Sequence, residues 1–192
     1  MKTNAVVLLL TGLLLTNLPA AAVSIEGVVI PGTLALPGSD QELVLNGAGI
    51  RKKFFMDIYI GALYLPARTS DATAILSDAG AASVTMHFLY KEVDRDKITD
   101  GWNDGLGENV SREEFRTLAK RLEKFNALFR TVRSGDVIRI DYNPVTGTEV
   151  RINDEWRGSI EGNDFFRALL KIWLGDHPVS SSLKDEMLGR PD

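Results

Sequence analysis

The chain of 192 residues contains no cysteine, which excludes disulfides, thiolate metal sites and thiol nucleophiles together. Histidine is nearly absent: there are two, His87 and His177, and neither has a second His or a carboxylate at metal-ligand spacing. Haem ligation by either one is a minor reading, and no cofactor or metal is expected. No Gly-x-Ser-x-Gly elbow stands in the sequence, so Ser180 to Ser182 have no hydrolase context. A phosphate-cradling loop is missing too, because Gly105-Leu106-Gly107 lies in a helical pattern without the remaining glycine and lysine. The run Asp94, Asp96, Asp100, Asp104 and Glu108 fails as an EF-hand loop, since Ile98 or Trp102 falls where an oxygen ligand is required. It reads as a solvated helix face. There is no large charge excess either: 22 basic against 26 acidic residues, net −4, with both signs interspersed. That balance gives no reason to propose nucleic acid or an anionic membrane as partner.

One long apolar run is present, and it comes first. Lys2 precedes Ala5 to Leu18, and the small residues Ala20, Ala21 and Ala22 follow. This is the three-part layout of an export signal, with cleavage expected after Ala22. Thr11, Thr16 and Asn17 interrupt the run and weaken a membrane-spanning reading. The expectation is a signal over 1–22 and one domain over 23–192, periplasmic or secreted, with no stable membrane insertion once the signal is removed.

The remainder reads as strands, then helices, then strands, then helices. Strand chemistry covers 23–30, 42–47, a long stretch 49–64, and 81–90. A helix is predicted from Asp94 to Asn109, carrying Ile98, Trp102 and Leu106 at four-residue spacing. Ser111 and Glu114 form a capping box for a second helix, whose Phe115, Leu118, Leu122, Phe125 and Phe129 repeat along one face to about Arg130. Strands return at 136–142, 147–152 and 155–160 as a meander, with turn residues Asn143 to Gly147 between the first two. Asn163 is expected to cap a helix from Asp164 to Leu174 that has almost no polar face and must therefore be buried, with a short terminal helix over 180–188. Blocks of strands and helices without alternation argue for α+β: a mainly antiparallel β-sheet covered on one face by a layer of helices.

Gly47-Ala48-Gly49-Ile50-Arg51, followed by Tyr59-Ile60-Gly61-Ala62-Leu63-Tyr64-Leu65, resembles the opening strands of the chalcone isomerase-like family. Gly162 to Phe166, Ile172 to Gly175, Pro178-Val179-Ser180 and Leu183 to Asp185 resemble its last two helices. Val84-Thr85-Met86 with Lys97-Ile98 is similar to its middle. The resemblance spans nearly all of 23–192 and implies an open-faced sandwich. It also implies one of two functions: isomerases that close a chalcone to a flavanone, or non-catalytic members in which an Arg and a Tyr hold a fatty-acid carboxylate. The resemblance puts the shared Arg at Arg51 and the binding-type Tyr at Tyr59. The isomerase's helical Tyr would fall on Asp94 or Arg95, and its Ser or Thr of the penultimate helix on Phe166. These choices favour an exported, non-catalytic binding protein for a fatty acid or similar apolar carboxylate.

The physics of such a site is simple. Guanidinium offers a permanently charged planar fork, a phenol adds a hydrogen bond from an apolar body, and each buried methylene of a ligand tail contributes about 0.8 kcal/mol. One geometric condition must be met. On a straight strand Arg51 and Tyr59 would lie roughly 26 Å apart, at ~3.3 Å per residue. To share a carboxylate the chain must fold back near Phe55, where no Gly, Pro or Asn marks a turn. The alternatives are an isomerase or lyase acting on a chalcone-like enone, and an envelope interaction protein whose cleft is filled by its own side chains.

Overall fold

A computed structural model describes residues 21–38, 41–78 and 80–190. Residues 1–20, which carry most of the expected signal, lie outside the described residues.

The described chain opens with strands β1 (Val23–Ile25), β2 (Val28–Ile30) and β3 (Thr33–Ala35). The long strands β4 (Glu42–Lys53) and β5 (Met56–Leu65) follow, then helix α1 (Ala72–Ser77), β6 (Ala82–Phe88) and β7 (Glu92–Val93). Helices α2 (Arg95–Asn109) and α3 (Arg112–Asn126) come next. After β8 (Val132–Arg133) the strands β9 (Val137–Asn143), β10 (Gly147–Ile152) and β11 (Glu155–Ile160) form the expected meander. Helices α4 (Asn163–Leu174) and α5 (Ser181–Met187) complete the order. Seven strands make one antiparallel sheet in the order β11-β10-β9-β6-β5-β4-β3, with β1-β2 and β7-β8 as separate ribbons. The fold is α+β, with the helices on one face.

Alternation along β5 separates two cores, because successive side chains on a strand point to opposite faces. Tyr59, Leu63 and Leu65 join the large core under the helices. Ile60, Ala62 and Tyr64 join a smaller core on the other face with Ile30, Leu36 and Leu43. Helix α4 is buried as its composition requires, from Phe165 to Leu174. Helix α3 turns Leu118, Leu122 and Phe125 inward, and Ser111 accepts from the Glu114 backbone at 3.1 Å as its cap.

Four sequence expectations are corrected. The stretch 49–64 is a hairpin, not one strand: β4 runs continuously from Glu42 through the expected break after residue 47, and the chain reverses at Phe54–Phe55. Residues 23–30 also form a hairpin, turning at Glu26 (φ 48°) and Gly27 (φ 77°). Helix α3 stops at Asn126, and Phe129 is buried beyond its end. Asn163 does not cap α4; its side-chain amide donates to the Tyr142 hydroxyl at 3.0 Å.

The glycines of β4 have a packing reason. A Cβ on Gly47 would collide with the backbone carbonyl of Glu186, and one on Gly49 with the Glu186 side chain. Both positions are bare so that α5 can lie directly on β4, where the Ile50 backbone N–H donates to Glu186 Oε2 at 3.2 Å. This contact fixes the strand on which Arg51 stands.

Candidate functional site

The β4–β5 hairpin places the two residues that the sequence singled out. Arg51 pairs with Tyr59 across the hairpin, and Lys52 with Asp57, so Ile58 is an extra residue that bulges β5 between the two pairs. Beyond it, Lys53 pairs with Met56, leaving Phe54 and Phe55 as a two-residue loop. Phe54 has φ 56°, the left-handed conformation that such loops demand and that Gly or Asn usually supplies. The fold-back near Phe55 is therefore made without any conventional turn residue.

Asp57, the nearby acid that could have neutralised Arg51, instead engages Lys52 at 3.4 Å. Among the described residues no carboxylate pairs with Arg51, whose Nη1 donates to the Lys52 carbonyl at 2.7 Å. The half-buried guanidinium is left with most of its donors available. Tyr59 is buried, its ring 5.7 Å from that of Phe88, and its hydroxyl accepts from Trp173 Nε1 of α4 at 3.1 Å. Burial pushes this phenol up to about 12, against the lowering effects of the Arg51 charge and the Trp173 hydrogen bond. The phenol is thus neutral at physiological pH and keeps its O–H as a donor.

Arg51 and Tyr59 line a cleft of about 620 Å³ between the hairpin, β6 and α2. Its apolar walls are Tyr59, Met86, Phe88, Ile98, Trp102 and Ile172, and its lining also includes Lys53, Phe54, Met56 and Tyr90. Trp102 stands edge-on to Trp173 with ring centroids 5.8 Å apart. Its buried indole N–H has no partner among the described residues, a donor left over beside an apolar cleft. The acids Asp94, Asp100, Asp104 and Glu108 also line the cleft and are exposed, as a solvated helix face requires.

The other positions that the sequence pointed to sort themselves by geometry. Of the two candidates for the isomerase's helical Tyr, Asp94 reaches the cleft. Arg95 instead donates to the carbonyls of Phe129 (3.2 Å) and Asn126 (3.4 Å) and closes the end of α3. Phe166 is not a cleft residue: it stacks on Tyr142 at 4.8 Å, and the α4 residue that reaches the cleft is Ile172. An aliphatic side chain therefore stands where an aromatic ring was expected. His177 lines the cleft, whereas His87 pairs with Ile60 and Val137 and is no part of it; burial pushes the His87 pKa down. Among the described residues no cluster of three metal-ligating side chains occurs. Trp173 was legible only as core, because its partner Tyr59 lies 114 residues away and nothing in a helix without a polar face distinguishes one ring.

The arrangement combines a fixed cation, a neutral phenol and an apolar cavity within the ~300–1,000 Å³ of ligand clefts. It suits a molecule with an anionic head and an apolar body. A family model described as chalcone isomerase-like matches residues 22–189. Among solved structures, a fatty-acid binding protein of Arabidopsis thaliana superposes with a TM-score of 0.66 at 15% identity, covering 88% of this chain and 96% of that one. At that identity the likeness is one of fold. No curated protein matches the sequence.

Proposed function

The chain belongs to the chalcone isomerase-like family, and on that premise we propose that it is an exported binding protein for a fatty acid or similar apolar carboxylate. The ligand's head would sit between Arg51 and Tyr59 and its tail in the cleft. The observation that carries this reading is the cross-strand pairing of Arg51, which no carboxylate engages among the described residues, with a buried, neutral Tyr59 at an apolar cleft. A guanidinium and a phenol O–H are complementary to a carboxylate, and the acyl chain replaces water against Met86, Phe88 and Ile172. The Arabidopsis protein of the same fold, which is a fatty-acid binding protein, supports the reading. Export rests on the N-terminal apolar run and its small-residue end. Among the described residues no helix is long and apolar enough to cross a membrane.

The test is native mass spectrometry of protein recovered from the exported fraction without detergent, beside an Arg51→Ala variant, with organic extraction of any bound mass. A co-purified fatty acid that is lost in the variant supports the reading, and the intact mass reports cleavage after Ala22. An empty cleft that also ignores added fatty acids in a thermal-shift series overturns it.

A further inference from the structure

We propose that the tip of the β4–β5 hairpin docks on a lipid bilayer containing anionic headgroups and so presents the cleft mouth to the membrane. Phe54 and Phe55 are 83% and 103% exposed, and Met56 and Tyr90 are 38% and 37% exposed. The last two and Phe54 also line the cleft. The Tyr90 backbone N–H donates to the Ile58 carbonyl at 3.1 Å, which holds that ring's segment against the hairpin stem. Single exposed apolar residues are ordinary, but a contiguous group that continues into a cavity marks a contact surface. Local folding gives no reason for this group. Phe54 holds φ 56°, where Asn or Gly would fit at lower cost, and the Phe55 ring touches water on every side.

Charge selects the partner. Lys52 and Lys53 precede the rings and Lys91 follows Tyr90, all three exposed. Lys52 engages Asp57, while Lys53 and Lys91 pair with no acid among the described residues. Aromatic rings with adjacent lysines are the chemistry of an interfacial anchor, the rings seated at headgroup depth and the ammonium groups facing lipid phosphates. Of the cleft's acids, Glu92 on β7 is paired with Arg133, while Asp94 and the α2 residues Asp100, Asp104 and Glu108 stand on a different wall, so an anionic surface orients the molecule hairpin first. The net charge of −4 averages over the whole surface and hides this local arrangement. Docking deepens the proposal of an acyl-chain cleft and rests on it: a seated mouth lets a chain pass between bilayer and cleft without crossing water.

The experiment compares flotation of wild type and Phe55→Ser with vesicles of equal parts phosphatidylglycerol and phosphatidylcholine, and with phosphatidylcholine alone. A parallel titration measures binding of a fluorescent fatty acid in solution. Phe55 is not part of the cleft lining, so the variant keeps its solution affinity and its melting temperature. Its partitioning onto the mixed vesicles falls roughly tenfold or more, the loss expected for one buried ring, and Phe55→Trp restores it. Wild-type flotation weakens with added salt and on phosphatidylcholine alone. Equal flotation of wild type and Phe55→Ser overturns the proposal. So does a wild type that ignores vesicles but forms a dimer that Phe55→Ser dissolves, since the tip is then a protein contact. Two results separate the readings: Arg51→Ala that loses the fatty acid yet floats like wild type places docking at the tip and not at the carboxylate site, whereas a wild type that floats but binds no fatty acid leaves the tip assignment standing and overturns only the carboxylate site.

Discussion

Arg51 and Tyr59 face each other across the β4–β5 hairpin, yet they differ in solvation: the guanidinium is half-buried with no paired carboxylate among the described residues, and the phenol is buried against Phe88 with its hydroxyl held by Trp173. A carboxylate arriving at this pair meets a charge that is already partly desolvated and a hydroxyl already oriented. Little reorganisation remains to oppose binding.

If that pair recognises a carboxylate, affinity must depend on the head as well as the tail. Arg51→Ala is expected to weaken a fatty acid by roughly ten- to a hundredfold, the worth of ~1.5–3 kcal/mol for hydrogen bonds to a charged group. The methyl ester of the same chain, which is neutral, should bind both proteins alike. Isothermal titration with acid and ester separates the contributions. Equal losses for both ligands would place Arg51 in the packing of the cleft rather than in recognition of the head.

Tyr59→Phe removes the acceptor of the Trp173 indole N–H and leaves a buried donor unpaired. Such a loss costs about 1–3 kcal/mol, so a lower midpoint in urea is expected even without ligand. Arg51→Ala, at a half-buried position, should leave that midpoint nearly unchanged. The two variants together distinguish a structural from a ligand-facing role for the hydroxyl.

Alkaline pH should act through the same residue. Burial raises both Tyr59 and Tyr64 to about 12 from an ordinary 10.0. Above pH 10 the unfolded chain releases protons that the folded chain retains, so stability is full below pH 10 and falls as pH rises toward 12. Thermal midpoints recorded from pH 8 to 12 should decline across that window. Replacing either tyrosine with Phe should flatten the decline, whatever it does to the midpoint at neutral pH.

Much of this architecture was legible because period and capping act locally. Ser111 with its apolar repeat located α3, and the apolar helix Asp164 to Leu174 declared its own burial. The hairpin was not legible from local rules: strand-favouring residues stand on both sides of Phe54 and Phe55, and no Gly, Pro or Asn lies between Arg51 and Ile60 to mark a turn. The reversal followed only from requiring that Arg51 and Tyr59 meet. Short elements such as β7, β8 and α1 are held by tertiary pairing that leaves no periodic trace. Similarly, the Asn163 side chain found a better partner in Tyr142 than in its own helix. The cleft's deep wall combines β5, α2 and α4, and no local pattern could single out Trp102, Ile172 and Trp173 from the core around them.

The docking of α5 on bare strand positions makes Gly47 a sensitive site. In Gly47→Ala the new methyl would meet the backbone of Glu186, Met187 and Gly189, which cannot rotate away as a side chain could. Overpacking of this kind costs about 1–3 kcal/mol, and α5 should detach first. Hydrogen exchange is expected to rise in residues 181–187 before it rises in β9 or β10. Uniform acceleration across the domain would show instead that α5 and the sheet unfold as one unit.

Phe54 offers the complementary case, a residue whose removal should stabilise the fold. Its φ of 56° lies where an ordinary side chain is disfavoured by ~1–2 kcal/mol, and a ring 83% exposed recovers little of that through packing. Asn tolerates the conformation, so Phe54→Asn should raise the melting temperature by about 2–4 °C for each kcal/mol recovered. The same change should lower flotation with anionic vesicles, because half of the aromatic tip is gone. A rise in stability joined to a fall in docking is the pattern of a residue retained for contact rather than for folding. A fall in melting temperature would show that the ring packs at the cleft mouth strongly enough to outweigh its backbone cost, and would make its retention a matter of folding.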